Sequence, residues 1–512
     1  MKTKLFLIGC LLLALDTQIA TLLAQGSLTP PAGPPAPTMK SLDQIEPRIN
    51  LQNAPASVVT TSDATYHYII NQPGSYYLSG NIVATKARAI KIGASDVTLD
   101  LRGFRISTSV AGTTVGVDVV GQQRATIRNG TVTGFAYGIG ADANSHACAI
   151  HDVALTGCTF RAIIAAGNGG LIDSCRFYGN SGESCINSGP GAIVSNCAAY
   201  SNNLTFAAIY VHAGSSVINC NVQATAGSAG FIADSGCTFT NCMANGSGNS
   251  GFRIADGTTM FNCIANGNSA DGITLTADKC NISNCIVSNN TGTGINALAK
   301  TSVLNSTATD NGTDGIKTGD NSTVSQCNAS GNLQNGIKTG NNSTVSTCGA
   351  NGNNTTDLQS GIVIGSGGVV SNCSASSNHN GITVDAGSTV RHCDVRANHF
   401  NGIQILTNGN SIIENEADLN GTGEFGAGIY VSNNTSVANR IDGNHCSYNL
   451  HDGIIAVGTN VVTRNFVTGS GVQNFDTGST PSAAEGAIFN MIGCTGSCTI
   501  PNTAGPYSNV QY

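Results

Sequence analysis

The sequence predicts an all-β chain wound as a single-stranded, right-handed parallel β-helix, a solenoid of about fifteen coils with a cap at each end. Three observations predict it. A Gly followed by Ile or Phe recurs every 20 to 26 residues from Gly230 to Gly453. Inside each repeat, apolar and polar residues alternate over two to four positions, which is strand spacing and never helical spacing. The composition, finally, holds 64 glycines and no tryptophan, with 10% charged residues, where an ordinary globular domain has about 25%.

The repeat marks are Gly230, Gly251, Gly272, Gly294, Gly315, Gly336, Gly361, Gly381, Gly402, Gly428 and Gly453, continued upstream at Ile139, Ile163, Ile186 and Ile209. A second mark precedes each glycine: Asn196-Cys197, Asn219-Cys220, Asn241-Cys242, Asn262-Cys263, Asn284-Cys285, Asn305-Ser306, Gln326-Cys327, Thr347-Cys348, Asn372-Cys373 and His392-Cys393. In one unit, Val324, Cys327, Ala329 and Ile337 are expected to point inward. Gln326, or Asn in most coils, takes the bend between two strands, because Asn tolerates left-handed geometry and can bond its neighbours up the stack. Gly336 is expected to let the chain turn tightly into the next strand. A short strand is unstable alone, but stacking at about 4.8 Å pairs its backbone with the coils above and below.

The ends differ from the repeat. Residues 1–25 read as a signal peptide: Lys2 and Lys4, an apolar run Leu5 to Leu15 interrupted by Asp16, and small residues near Ala24. The run is too short for a stable membrane anchor. Leu7-Ile8-Gly9-Cys10 resembles a lipoprotein box, but little apolar chain precedes Cys10. The chain is therefore expected to be secreted, extracellular or at the cell surface. Residues 26–48 form a linker, with five prolines between Ser27 and Thr38. An N-terminal cap and first coil are assigned to 49–110, repeats to 111–468, and a C-terminal cap or tail to 469–512. A net charge of −7 and a pI near 5.7 provide no basic field for nucleic acid.

Nineteen cysteines in an exported chain would ordinarily signal a disulfide framework. Cys175, Cys197, Cys220, Cys242, Cys263, Cys285, Cys327, Cys348, Cys373 and Cys393 instead fall at one position per coil. That predicts a column of free, inward thiols, since stacked parallel side chains suit the disulfide torsion poorly. Cys494 and Cys498, outside the repeat, are the expected disulfide. No cysteine or histidine cluster has zinc spacing.

The repeats resemble those of pectate-lyase-like proteins of the exported bacterial type. The likeness covers about Val97 to Val467, and Gln72-Pro73-Gly74-Ser75-Tyr76-Tyr77-Leu78 with Val97 to Phe104 is similar to their entry strands. The resemblance implies a long groove over the outward side of the strand that follows each Gly-Ile, where related enzymes bind extended polysaccharides. Residues two places after each glycine would line it: Ile232, Arg253, Thr274, Asn296, Lys317, Lys338, Val363, Thr383, Gln404, Tyr430 and Ile455. Arg253, Lys317 and Lys338 are the cations of that series. They could pair uronate carboxylates or, unprotonated, take the proton beside one, and so are the candidate catalytic groups. Lys317 and Lys338 also belong to near-duplicate coils, which fits plain solvated surface.

A rim just before the glycines would hold His379, Phe400, His451, Asp452 and Asp314, which with outward Tyr430 are the candidate substrate-binding residues; aromatic and imidazole edges suit sugar rings. Arg391, Asp394 and Arg396 are expected on other faces. Asp310, Asp314 and Asp320 could help bind calcium, yet match no calcium-site spacing. No metal ligand is assigned. The Asn-Thr-Asp, Asp-Asp, Gly-His-Gly and Arg-Ile-Lys motifs of polygalacturonase-like enzymes are missing, as is the Tyr-Gly-x-Asp-Pro-His of alginate epimerases. The sequence therefore names no reaction. The expected function is to bind or process an extended polysaccharide, as a lyase or epimerase on an acidic glycan; the alternative is a non-catalytic surface, matrix or adhesin-like protein.

Overall fold

The computed structural model describes residues 48–112, 114–354, 359–423, 425–432, 436–476, 488–490 and 508–511. The signal peptide, almost all of the linker, Cys10, Cys494 and Cys498 lie outside the described residues.

Each coil contributes three short strands, one to each face of the solenoid. Ile337–Thr339, Thr344–Ser346 and Gly349–Asn351 make up one coil. Alternation turns Ile337, Val345 and Ala350 inward, and all three are fully buried. Each of these strands pairs in parallel with its counterpart one coil on: Ile337 with Ile362, Val345 with Val370, Ala350 with Ala375. The second and third faces merge where Thr126–Thr133 and Ala149–Thr156 run unbroken through the bend. The four residues expected inward (Val324, Cys327, Ala329 and Ile337) are all buried.

The solenoid has about eighteen turns, not fifteen. Coiling starts early in the segment assigned to the N-terminal cap and first coil, where Tyr66–Ile70 stacks on Arg88–Ile92 and Gly74–Tyr77 on Val97–Asp100. Another rung, Gln473–Asp476, pairs with the strand Asp452–Ile455 beyond the last Gly-Ile. These coils lack the Gly-Ile mark, which is why counting marks missed them. Val59–Thr60 runs antiparallel to Ile69 and Ile70 and so ends the parallel ladder at the N-terminal side. At the other end, the Asn509 side chain accepts the backbone N–H of Asn465 at 3.0 Å.

The bends carry the predicted chemistry. Asn196, Asn219, Asn241 and Asn262 sit at φ of 53 to 55°, and each amide of the series donates to the preceding Oδ1, at 3.3, 3.1 and 2.8 Å. All sixteen described cysteines are free and buried, the predicted column among them. Burial pushes the Cys158 thiol up to about 12 and raises Cys446 as well, so these thiols stay protonated.

A second inward column went unpredicted. Asn268, Asn290, Asn311, Asn332, Asn353, Asn378, Asn398, Asn420 and Asn449 stack without interruption, each Oδ1 accepting the backbone N–H of the coil before it. This column also explains Gly336. Its backbone is not left-handed; a Cβ there would lie 2.6 Å from Asn353 Nδ2 and 2.7 Å from the Gly361 carbonyl oxygen. Close approach of stacked chains, rather than a tight turn, requires glycine there.

Candidate groove on the first face

The strands of the first face place the eleven expected groove residues in one ladder. Ile232 pairs with Arg253, then Thr274, Asn296, Lys317, Lys338, Val363, Thr383, Gln404, Tyr430 and Ile455 in turn. Because side chains alternate strictly along a strand, one register puts all eleven on the outer side. Arg253, Lys317 and Lys338 are exposed, and Lys317 and Lys338 are adjacent rungs. None of the three forms an ion pair among the described residues.

Among the described residues, hollows open along this face. One, of about 340 Å³, is lined by Lys338, Ser360, Thr383, Phe400 and Gln404 among others. A second, of about 390 Å³, contains Phe206, Ile232, Arg253, Asp271 and Thr274. A third, of about 340 Å³, lies near the N-terminal end between Arg88, Asp118, Tyr137, Gly140 and Ile164.

The rim residues divide. His379 and Phe400 come together, with ring centroids 5.4 Å apart, and His399 joins them at 5.9 Å from His379. Tyr430 is half-buried, and its hydroxyl donates to the Ser432 carbonyl at 3.4 Å. His451 Nδ1 meets the Asp452 carboxylate, and its ring packs edge-on against Phe425. Two expected contact residues are buried and bonded within the stack. Asp314 is 5% exposed, and its Oδ1 accepts both the backbone N–H and the side-chain amide of Asn335, at 3.0 and 2.8 Å. Asp452 is 3% exposed and accepts the Gln473 N–H at 2.9 Å. A carboxylate just before the glycine accepts the next coil's N–H, so the position turns inward along the stack rather than toward a ligand.

Upstream, the ladder continues through Tyr210, Asn187, Ile164, Gly140, Asp118 and Lys91. These residues were missed because the outward series was read only from the first Gly-Phe mark. They hold two polar groupings. Asp118 bonds both the Arg88 guanidinium and the Tyr66 hydroxyl, the latter at 2.7 Å, and burial with that carboxylate pushes Tyr66 up to about 12. The second grouping joins Tyr210, His212 and Asp234. His212 Nδ1 lies 2.7 Å from Asp234 Oδ2, and the Tyr210 hydroxyl donates to Asp234 Oδ1 at 3.1 Å.

The strands around Arg391 to His399 face elsewhere. Asp394–Arg396 stacks on the third face, where Arg396 and Asp394 pair, and His392 meets Glu414 at 2.8 Å. Among the described residues, Glu416, Asp418 and His445 are a set whose ligand atoms lie within 4.8 Å of one another, also on the third face. Asp320 Oδ1 accepts the Asn341 N–H at 2.7 Å and so serves the stack. Among the described residues, no helix is long and apolar enough to cross a membrane.

A family model agrees with this architecture. The model of the right handed beta helix region family matches residues 115–278 and 256–418. Solved structures similar to this chain include the periplasmic alginate epimerase AlgG, 10% identical over 77% of this chain and 82% of that one, with a TM-score of 0.29. The A-module of the mannuronan C-5 epimerase AlgE4 of Azotobacter vinelandii is 13% identical over 72% and 90%, at 0.23. The receptor binding domain of the Siphovirus 9NA tailspike is 10% identical over 77% and 75%, at 0.34. No curated protein matches. The matched segments span more than half of the chain, which belongs to the right handed beta helix region family.

Proposed function

We propose that the chain binds an extended acidic polysaccharide along its first face. The observation that carries this reading is the cation series itself: Arg253, Lys317 and Lys338 share one outward register, are exposed and lack acidic partners among the described residues. A single exposed lysine is ordinary surface. Three exposed cations held in one line, with Lys338 and Arg253 each lining a hollow, provide repeated contacts for a polymer that carries a carboxylate on successive units. Phe400 and Tyr430 then offer flat apolar surface beside polar edges. Arg253, Lys317 and Lys338 are the groups this reading assigns to substrate carboxylates, with His379, Phe400, Tyr430 and His451 as rim contacts.

The competing reading, a non-catalytic surface or matrix protein, is favoured by the structural use of Asp314 and Asp452. Both readings meet one experiment. Mature protein is titrated with polygalacturonate, alginate and a neutral glucan, with and without calcium. The acidic polymers are expected to bind and the glucan not to. Lys317→Ala with Lys338→Ala should weaken acidic binding about tenfold at low salt, an effect that fades as salt screens exposed charge, while the thermal midpoint stays put. Equal binding by the double variant removes the strip from the site.

A further inference from the structure

Charge is scarce on this solenoid, and it gathers on the third face of the C-terminal coils. Charged residues are 10% of the chain, yet the adjacent strands Asp394–Arg396, Glu416–Asp418 and His445–Ser447 bring a cluster of titratable side chains to one outer surface. Alternation sets the pattern. Val395, Ala417 and Cys446 turn inward and are buried, so Asp394, Arg396, Glu416, Asp418 and His445 turn outward. Register then stacks Asp394 on Glu416, Arg396 on Asp418, and Glu416 on His445. Glu416 and Asp418, two apart on one strand, converge with His445 on the next, and one ligand atom from each lies within 4.8 Å of the others.

The imidazole is the informative member. Elsewhere in the chain, a histidine beside a carboxylate one coil on closes upon it: His212 meets Asp234 at 2.7 Å and His392 meets Glu414 at 2.8 Å. His445 stands one rung from Glu416, yet among the described residues no ion pair joins it to Glu416 or Asp418. Its ring packs against Phe466 instead, with centroids 5.1 Å apart, which fixes the ring in place. Asp418 is held as well, since its Oδ1 accepts the Ser447 N–H at 2.8 Å and its other oxygen stays available. Both oxygens of Asp394 take up the Arg396 guanidinium. Asp418, then burial and the Asp394 charge, raise the Glu416 carboxyl above its ordinary value, with Arg396 opposing. The gap between the three groups is thus rich in lone pairs and short of positive charge.

We propose that Glu416, Asp418 and His445 form a binding site on the third face for one divalent transition-metal ion of the zinc class. The donor set selects the ion: calcium and magnesium take oxygen ligands, whereas an imidazole nitrogen suits zinc and its neighbours. Two carboxylates and a neutral imidazole also balance the two charges of such an ion. Bonds of about 2.0 to 2.2 Å draw the three atoms inward from their present spacing, a movement that the exposed Glu416 side chain can make. Two ligands come from one strand and the third from the next, so the ion ties adjacent coils through side chains as well as backbone. Three protein ligands leave a further coordination position open to solvent. The site uses none of the first-face cations and stands independently of the polysaccharide reading.

The test uses the untagged mature protein, freed of metal with a chelator and titrated by calorimetry with zinc alone and, in parallel, with calcium alone. Zinc is expected to bind more tightly than calcium, and His445→Ala and Glu416→Gln should each weaken it at least about tenfold. Because the ion binds the folded chain, zinc should also raise the thermal midpoint of the native protein and not that of His445→Ala. His392→Ala, in a pair that closes directly, should bind zinc as the native protein does. Melts without metal show whether each variant is folded, and the exposed Glu416 tests the site even if loss of the His445 ring disturbs Phe466. No zinc binding, or binding undiminished in both His445→Ala and Glu416→Gln, overturns the site. Calcium bound more tightly than zinc, and equally by His445→Ala, marks a plain acidic surface and overturns it too.

Discussion

Two stretches of the solenoid fill the same inward bend with different chemistry. From Cys175 to Cys393 the position is a thiol in all but one coil, where it is Ser306. From Asn415 through Asn444 and Asn465 to Asn509 it is an amide. At the junction, the Cys393 backbone N–H already donates to Asn415 Oδ1 at 3.0 Å. The thiols ask little of their surroundings: Cys242 Sγ rests 3.4 Å from both the Thr240 and the Val217 carbonyl oxygens. The amides ask for everything. Asn444 accepts from the N–H and side-chain amide of Asn415 and donates to the Ile412 carbonyl and Asn465 Oδ1, all between 2.9 and 3.0 Å. A buried amide ladder is stable only when complete, because each orphaned group has lost water and gained nothing. The thiol stretch is a packing solution; the amide stretch is a hydrogen-bond solution.

The largest effect should therefore come from breaking the amide column. Asn444→Ala removes an acceptor and two donors at once and strands the Asn415 N–H and the Ile412 carbonyl in the core. The expected loss is about 3–5 kcal/mol, read by urea denaturation. Since coils contact only their neighbours, the loss should be local, with amide exchange rising in the C-terminal coils before the middle ones. An effect below that of a thiol substitution would break the comparison.

How much of this was legible follows from what each column repeats. The thiol column was readable because cysteine is rare and recurs beside a bend asparagine, so its spacing stands out. The amide column was not read, although Asn268, Asn290, Asn311, Asn332, Asn398 and Asn449 each stand four residues before a repeat glycine. Asparagine in a polar loop suggests exposed turn chemistry, and only the stacked geometry shows these side chains turned inward. The groove divides in the same way. The register of Arg253, Lys317 and Lys338 followed from period two and the Gly-Ile mark. That Asp314 and Asp452 bond within the stack was not legible, because sequence spacing does not reveal which side of a turn a carboxylate serves. Tyr210 and His212 lay in a coil whose mark is Ala-Ile rather than Gly-Ile, and their partner Asp234 is a coil away, a pairing that exists only once the chain is wound.

A smaller effect separates the two stretches by acidity. Asp442, near the amide column, is buried, and its Oδ1 accepts from Arg464 Nε at 2.7 Å and Thr463 Oγ1 at 3.0 Å while Arg440 reaches the other oxygen. Arg464, then Arg440, holds this carboxyl down at about 2 against the opposing effect of burial. A depressed carboxyl stabilises the fold above its unfolded pKa, near 4, and that contribution is lost as pH falls from about 4 to about 2. Both arginines are half exposed, so the loss should be about 1–2 kcal/mol. Thermal melts between those pH values should show the C-terminal coils weakening first, and Asp442→Asn should flatten that part of the pH dependence.

The smallest effects should lie in the thiol column, and they test whether it is only packing. Ser306 shows what a hydroxyl does there: its Oγ donates to the Leu304 carbonyl at 2.8 Å and accepts the Cys285 N–H at 3.2 Å. Cys242→Ser can adopt the same two bonds, so it should cost only about 1 kcal/mol, well under the loss at Asn444. The junction sharpens the point further. Cys393→Asn would extend the amide ladder by one rung, with Asn415 Oδ1 already in place below it, and should change stability by less than about 1 kcal/mol. The same replacement at Cys242 has thiols on both sides and no amide to receive its donors, so it should cost more. If both cost the same, position in the ladder is irrelevant and the two columns differ only in side-chain volume.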